Sequence, residues 1–299
     1  MRYKYRRYYL YYLGRVFAFL LYLAPMRIGA AVGAFLGRCA FYILPKYRKI
    51  TLDNLSHAFG KEKTPEEIAQ IALKVFENLG RNAAELINFP KINKDNIGRF
   101  VSVEGLDIVD SSFAKGKGTI ILTAHFGNWE LTGLMFRIKG YPGVTIGRKI
   151  YFYKYDNWLN SLRRTQDINI IYRGESVRKM LKALKDNKAL GIVADQDVDS
   201  VEGVFVNFFG MSAYTPVGPV VLAKATGASI VPTFVVREGK GHRFVIEKPI
   251  ELADTGNKEA DVVTNTQAWS DVVESYIRKY PEQWVWMHRR WKTQDNEKQ

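Results

Sequence analysis

The stretch "ILTAHFGNWE", residues 121–130, holds the residue types of a proton-transfer site. His125 follows a β-type apolar run, and Glu130 stands five positions later. A carboxylate hydrogen-bonded to one imidazole nitrogen fixes the tautomer and raises the basicity of the other, which can then deprotonate a hydroxyl. If the segment between them turns, the Glu130 carboxylate can approach the His125 ring. Gly127 permits a tight turn or the close approach of a substrate. Asn128 is a candidate donor to a developing oxyanion. The competing reading is a histidine that caps the start of a helix. Placement after a strand and beside Gly-Asn-Trp favours chemistry.

Other chemistries lack their parts. The chain contains no G-x-S-x-G nucleophile elbow, no complete phosphate-binding loop of the G-x-x-x-x-G-K-[ST] type and no second histidine at metal-ligand spacing. Cys39 is the only cysteine, which excludes an intramolecular disulfide framework and a cysteine-based zinc site and suits a reducing compartment.

The elements that must position these residues are partly legible. "GTIILTA", "ALGIVAD", "SIVPTFVV" and "RFVIEKPI" read as short strands, and helix-compatible segments such as "SVRKMLKALKDNK" separate several of them. Continuous apolar strands alternating with helices predict an α/β core, with a central, mostly parallel sheet covered on both faces. His125 then falls at the carboxyl edge of its strand, where open α/β sheets place ligands. Upstream, "KTPEEIAQIALKVFENLGRNAAELINFP" predicts a helix with Thr64 as its cap, Pro65 at the first position, Glu67 completing a capping box and Pro90 beyond its end.

The amino terminus differs in character. Cations crowd the first seven residues, then apolar stretches run from Tyr8 to Leu23 and from Ile28 to Leu44, with Pro25 between them. Each is near the length of a membrane span and each contains one arginine, Arg15 or Arg38. These features predict a membrane anchor or an in-plane amphipathic hairpin; the alternative is a helical subdomain buried on the rest of the chain. A cleavable signal peptide fits poorly, because no small-x-small site follows. The formal net charge of +14 points to an anionic partner such as an acidic membrane surface, an acyl-carrier substrate or nucleic acid. No nucleic-acid-binding module is recognisable. The expected organisation is an amino-terminal membrane-anchoring helical region over residues 1–60, an α/β domain over 61–292 and a polar tail over 293–299.

"HFGNWE" resembles the H-x4-E block of the lipid A late acyltransferases, the lauroyl/myristoyl acyltransferase family, itself distantly similar to glycerophosphate acyltransferases. "RKITLDNLSHAFG", "GIVADQD", "GVFVNFFG", "TPVGPVVLAKATGASIVPTFVVR" and "PEQWVWMHRRWK" resemble further blocks of that family in order, so the resemblance spans nearly the whole chain. It implies a glycerophosphate-acyltransferase-like fold and transfer of a fatty acyl group from acyl carrier protein or acyl-CoA to a hydroxyl of a membrane glycolipid. It implies no metal or bound cofactor, and a catalytic domain on the cytoplasmic face of the inner membrane. A mannosylated inositol phospholipid is the alternative acceptor.

By the same resemblance His125 is the general base and Glu130 its partner carboxylate. Arg148 is the cation that meets a phosphate, and a guanidinium suits that task. Asp195 and Gln196 resemble the family's Asp-Gln pair and, lying at another strand's carboxyl end, should face the same crevice. Arg237 has two readings of equal standing, contact with an anionic group on that edge or a structural ion pair. The Trp284, Trp286 and His288 cluster reads as structural, Arg289 and Arg290 as part of a basic face, and His57 and His242 as loop or surface residues.

Overall fold

The computed structural model describes residues 5–175 and 177–294; residues 1–4, Ser176 and the 295–299 portion of the expected polar tail lie outside the described residues. Four helices open the chain: α1 (Tyr5–Leu23), α2 (Met26–Ile43), α3 (Pro45–Phe59) and α4 (Pro65–Ile87). The break between α1 and α2 falls at Ala24–Pro25, and Pro45 opens α3. Helix α4 starts as predicted. The Glu67 amide donates to the Thr64 hydroxyl, and the Thr64 amide donates back to the Glu67 carboxylate at 2.7 Å.

Glycines set the contact between α2 and α4. A Cβ on Gly33 would collide with the Gly80 carbonyl, and one on Gly37 with the Phe76 carbonyl. A glycine inside a helix costs about 1 kcal/mol relative to alanine. Here that cost is offset by backbone-to-backbone packing of α2 on α4 at Gly33 and Gly37, one turn apart. The outer faces of α1 and α2 stay bare: Leu13, Val16, Leu20, Leu23, Phe35 and Ile43 are all more than half exposed. α2 is the one described helix that is long and apolar enough to cross a membrane, by length and composition. It nonetheless lies along α4. α1 in turn rests on the aromatic ridge after the third strand, with Tyr8 and Tyr11 packed edge-on against Phe152 and Tyr155.

The rest of the chain alternates. In order come β1 (Val101–Glu104), α5 (Leu106–Ala114), β2 (Thr119–Thr123), α6 (Glu130–Ile138), β3 (Gly143–Gly147), α7 (Tyr153–Arg164) and β4 (Asn169–Tyr172). Then follow α8 (Val177–Lys185), β5 (Ala189–Val193), a hairpin of β6 (Gly203–Phe208) and β7 (Met211–Pro216), and α9 (Gly218–Thr226). β8 (Ser229–Glu238), β9 (Gly241–Ile246) and α10 (Lys258–Lys279) close it.

Seven strands form one sheet in the order β1-β9-β8-β2-β5-β3-β4. β8, β2, β5, β3 and β4 run parallel; β9 returns antiparallel to β8 and carries β1 with it. The sheet is therefore mostly parallel and flanked by helices, as its strand pattern predicts. Every residue of β2 is buried, because the sheet is covered on both faces. Ile120 and Leu122 pack into one cluster with Trp269 and Trp284, while Ile121 enters the opposite cluster with Phe136 and Phe244. The four strands read from the sequence are β2, β5, β8 and β9. β1, β3 and β4 lack a long apolar run and gave no such signal.

Gly80→Val should force α2 away from α4 and lower stability by about 1–3 kcal/mol, the cost of overpacking. Gly14→Ala, where added atoms would meet open space, should leave the melting temperature unchanged or slightly raised. Thermal unfolding of both variants in the same detergent checks this.

Candidate active site

The loop that carries His125 is held from two sides. On one side the Val285 amide donates to the His125 carbonyl and the Gly127 amide to the Gln283 carbonyl. On the other, Asn82 of α4 donates to the Gly127 carbonyl at 2.6 Å. Gly127 has a φ of +54°, and a Cβ there would strike the Val235 carbonyl of β8. Only glycine satisfies both constraints.

The carboxylate on the imidazole is Asp195, not Glu130. Asp195 Oδ1 lies 2.8 Å from His125 Nδ1, and Asp195 Oδ2 accepts the His125 amide at 3.0 Å and the Trp284 indole N–H at 2.7 Å. The register explains the choice. β2 pairs with β5 so that Thr123 opposes Val193, and two residues further His125 meets Asp195 across the same parallel pair. Glu130 is instead the first residue of α6 and forms a two-pronged ion pair with Arg163 of α7, with Arg163 Nε 3.0 Å from Oε2.

Burial would drive the His125 pKa down, but the charge and hydrogen bond of Asp195, with a smaller push from the charge of Glu130, carry it above its ordinary value of 6.5. Burial would raise the Asp195 pKa. The charge and hydrogen bond of His125 and the bonds from Trp284 and the backbone hold it below the ordinary range, so the carboxylate is ionised. An ionised carboxylate can only accept, so Nδ1 carries the proton and Nε2 is the free nitrogen. The ring is 26% exposed and lines a cavity of about 1000 Å³ beside β3, β5, α6 and α7.

That cavity is lined by both polar and apolar residues. Ile121, Phe136, Val144 and Ile170 line its apolar part, with Gly133, Gly143 and Gly191 leaving room. Trp129 stands beside the imidazole at 5.2 Å between ring centroids. Glu130, Arg163, Gln196 and His288 line it too. Arg148, just past β3, lines it exposed and has no ion-pair partner among the described residues. Burial holds the His288 pKa below its ordinary value, and its Nε2 lies 3.1 Å from the Asp197 carbonyl. Among the described residues no group of three or more His, Cys, Asp or Glu side chains could hold a metal ion.

Two expected site residues face elsewhere. The left-handed turn at Gly127 sends Asn128 away from the cavity, fully buried, to donate to Glu85 at 2.6 Å; it is not an oxyanion donor. Arg237 donates to Glu85 and Asn82 beneath the loop, so its ion-pair reading is the one the geometry satisfies and the anion-contact reading is not. His242 is buried on β9, with Nε2 3.0 Å from Glu85, rather than on a loop or surface. Arg290 is likewise no part of a basic face. It is buried, donates to Tyr214 and Thr215, and its pKa is brought down to about 10 by burial. Arg163, Trp284 and Glu85 gave no spacing signal in the sequence, and their partners lie 33 to 157 positions away.

Glu85 is the hub beneath the loop. Burial pushes its pKa up, but hydrogen bonds from His242 and Arg237 and their electrostatic pull bring it down to about 2 from 4.5. A depressed carboxylate contributes stability above its unfolded pKa and loses it as pH falls through the folded one. Glu85→Gln should therefore remove about 3 kcal/mol at pH 7 and flatten the loss of stability between pH 4.5 and 2, as measured by denaturant unfolding across that range.

Comparison with known proteins gives a consistent reading. The sequence model of a family described as bacterial lipid A biosynthesis acyltransferase matches residues 1–293. The chain is 29% identical over 296 residues to a lipid A biosynthesis lauroyltransferase of Escherichia coli K12, covering 96% of this chain and 92% of the relative. It is 24% identical over 277 residues to a lipid A biosynthesis myristoyltransferase of the same organism, covering 91% and 83%. It is also 27% identical over 223 residues to a phosphatidylinositol mannoside acyltransferase of Mycobacterium tuberculosis H37Rv, covering 72% and 68%. With a match over nearly its whole length, the chain belongs to the bacterial lipid A biosynthesis acyltransferase family and is an O-acyltransferase of the glycolipid class.

Proposed function

We propose that this enzyme moves a fatty acyl chain from an acyl thioester, on acyl carrier protein or coenzyme A, to a hydroxyl of a lipid A precursor, with His125 as general base. The observation that carries the reading is the Asp195–His125 pair on a cavity of about 1000 Å³ with apolar lining residues such as Ile121, Phe136, Val144 and Ile170. The acceptor hydroxyl gives its proton to Nε2 as its oxygen attacks the thioester carbonyl. The tetrahedral intermediate then collapses, the C–S bond breaks, and the imidazolium returns the proton to the departing thiolate. No residue forms a covalent acyl intermediate, and no metal or organic cofactor takes part.

Glu130 acts through Arg163. The paired carboxylate holds the guanidinium in the cavity and adds negative potential at His125. Arg148 and Gln196 line the same cavity, Arg148 as a cation with no ion-pair partner among the described residues, available for a phosphate on the acceptor or donor. The bare apolar faces of α1 and α2 rest in the membrane interface. Tyr151 and Tyr153, both exposed, extend that surface toward the loop bearing Arg148. Anionic lipid and acidic acyl carrier protein both suit a chain of charge +14, on the cytoplasmic face of the inner membrane. A mannosylated phosphatidylinositol is the alternative acceptor, motivated by the mycobacterial relatives. Those relatives align with 72% of this chain, whereas the lauroyltransferase aligns with 96%. Mass spectrometry of lipids from cells with and without the gene tests the choice. A lipid A species lighter by one acyl chain in the deletion strain supports the proposal, and unaltered lipid A rejects it.

His125→Ala should abolish transfer with the fold intact by circular dichroism. Asp195→Asn presents an amide donor to Nδ1, which forces the proton onto Nε2, and should lower kcat by about 10³–10⁴-fold. Since the base must be neutral, kcat/KM of the wild type should fall on acidification with a midpoint above 6.5. Glu130→Gln removes a negative charge and should shift that midpoint downward.

A further inference from the structure

A second cavity, of about 190 Å³, lies on the other side of the catalytic loop from the substrate cavity, where the first turn of α2 meets α4, α6 and the β1 and β9 strands. Liquid water occupies about 30 Å³ per molecule, so the space fits a small group rather than a single ordered solvent. Arg27, Arg99 and Lys240 stand around it, all exposed and none in an ion pair among the described residues. Met26, Ile92 and Leu131 supply apolar walls.

The floor is His242 and Glu85. Glu85 is an ionised carboxylate already engaged by Arg237 and His242, so the three rim cations are not neutralised by it. The His242 side chain is only 5% exposed, and its Nε2 is spent on Glu85. Its Nδ1 is buried and has no hydrogen-bond partner among the described residues. With Nε2–H given to Glu85, Nδ1 donates to a ligand oxygen when the ring carries both protons, and a buried polar atom left without a partner costs about 1–3 kcal/mol. No side chain caps α2 either, so its first amides and positive dipole end also face an unanswered demand for negative charge.

We propose that this cavity is a binding site for a phosphate group, distinct from the substrate cavity, with Arg27, Arg99 and Lys240 as its cations and His242 Nδ1 as its buried contact. The neighbouring surface favours a phosphate carried on a lipid. Leu23 and Ile28, both more than half exposed, flank the α1–α2 turn beside the site, where acyl tails can lie along the hairpin. The site also touches the catalytic loop through hydrogen bonds alone: His242 to Glu85, Glu85 to Asn128, and Arg237 to Asn82, which holds the Gly127 carbonyl.

Titration calorimetry of the full chain in a nonionic detergent, with dihexanoyl phosphatidic acid and with inorganic phosphate as probes, tests the assignment. Saturable binding of the lipid alone places the phosphate on a membrane lipid, and equal binding of both probes assigns the site to soluble phosphate esters. The triple variant Arg27→Ala, Arg99→Ala, Lys240→Ala should weaken binding by about 100-fold. His242→Gln, which keeps a donor for Glu85 and removes Nδ1, should weaken it by about 10-fold. A matched variant with Lys61, Lys74 and Lys139 changed to alanine, all exposed and none lining the cavity, should bind as the wild type does. Absence of saturable binding of either probe, or equal losses in the two triple variants, would overturn the site. These readouts involve no acyl transfer, so the result stands apart from the fate of the proposed reaction.

Discussion

The bond between Asp195 and His125 depends on two parallel strands agreeing in register. β2 and β5 end together, and the two residues that follow each strand meet across the gap. Slipping that pairing by one residue would turn each side chain to the opposite face and leave an ionised carboxylate buried without a donor. The core enforces the register, since β2 is buried on both faces and sorts its isoleucines and leucine between two clusters. Trp284 then closes the arrangement. Its indole donates to Oδ2 of Asp195, so the carboxylate cannot rotate away from the ring without losing a bond. Orientation of the imidazole is thus a property of the sheet and of the carboxyl-terminal segment packed on it, and the loop sequence contributes mainly the turn.

This separation explains what was legible. His125 could be placed at a strand's carboxyl end because "GTIILTA" is an unambiguous buried strand and a glycine follows it. The helix over 65–87 was legible because capping chemistry is local, confined to Thr64, Pro65 and Glu67. The partner of the imidazole was not. Five positions in a chain say little about where a carboxylate points once a helix begins, and Glu130 is carried toward Arg163 by the first turn of α6. Asp195 was expected in the crevice, but its contact with His125 exists only after strand order is known.

Asn128 and Arg237 illustrate a related difficulty. Both lie near the active edge in sequence terms, and both serve the underside of the loop. A positive φ at Gly127 decides the first case and the charge of Glu85 the second. The buried positions of Arg237, His242 and Arg290 depend on acceptors far away in the chain, which residue type alone does not announce. Buried cations and polar groups are tolerated when they are paired. Here Glu85 and Asn82 hold Arg237 and His242, and β7 accepts two bonds from Arg290, while Arg237 Nε, Arg290 Nε and His242 Nδ1 stay without a partner among the described residues.

Helix α4 serves two surfaces at once. Its Gly80 and Phe76 carbonyls touch α2 backbone to backbone, while its Asn82 and Glu85 hold the peptide that carries the base. Backbone contact joins the apolar hairpin to α4, and a single layer of hydrogen-bonded side chains joins α4 to the His125 loop. Were the hairpin seated among lipid headgroups, as proposed, the imidazole would sit at a set altitude above the oily interior. Acceptor alcohols would then be sorted by how far they protrude from the bilayer, before any contact with their sugar is made.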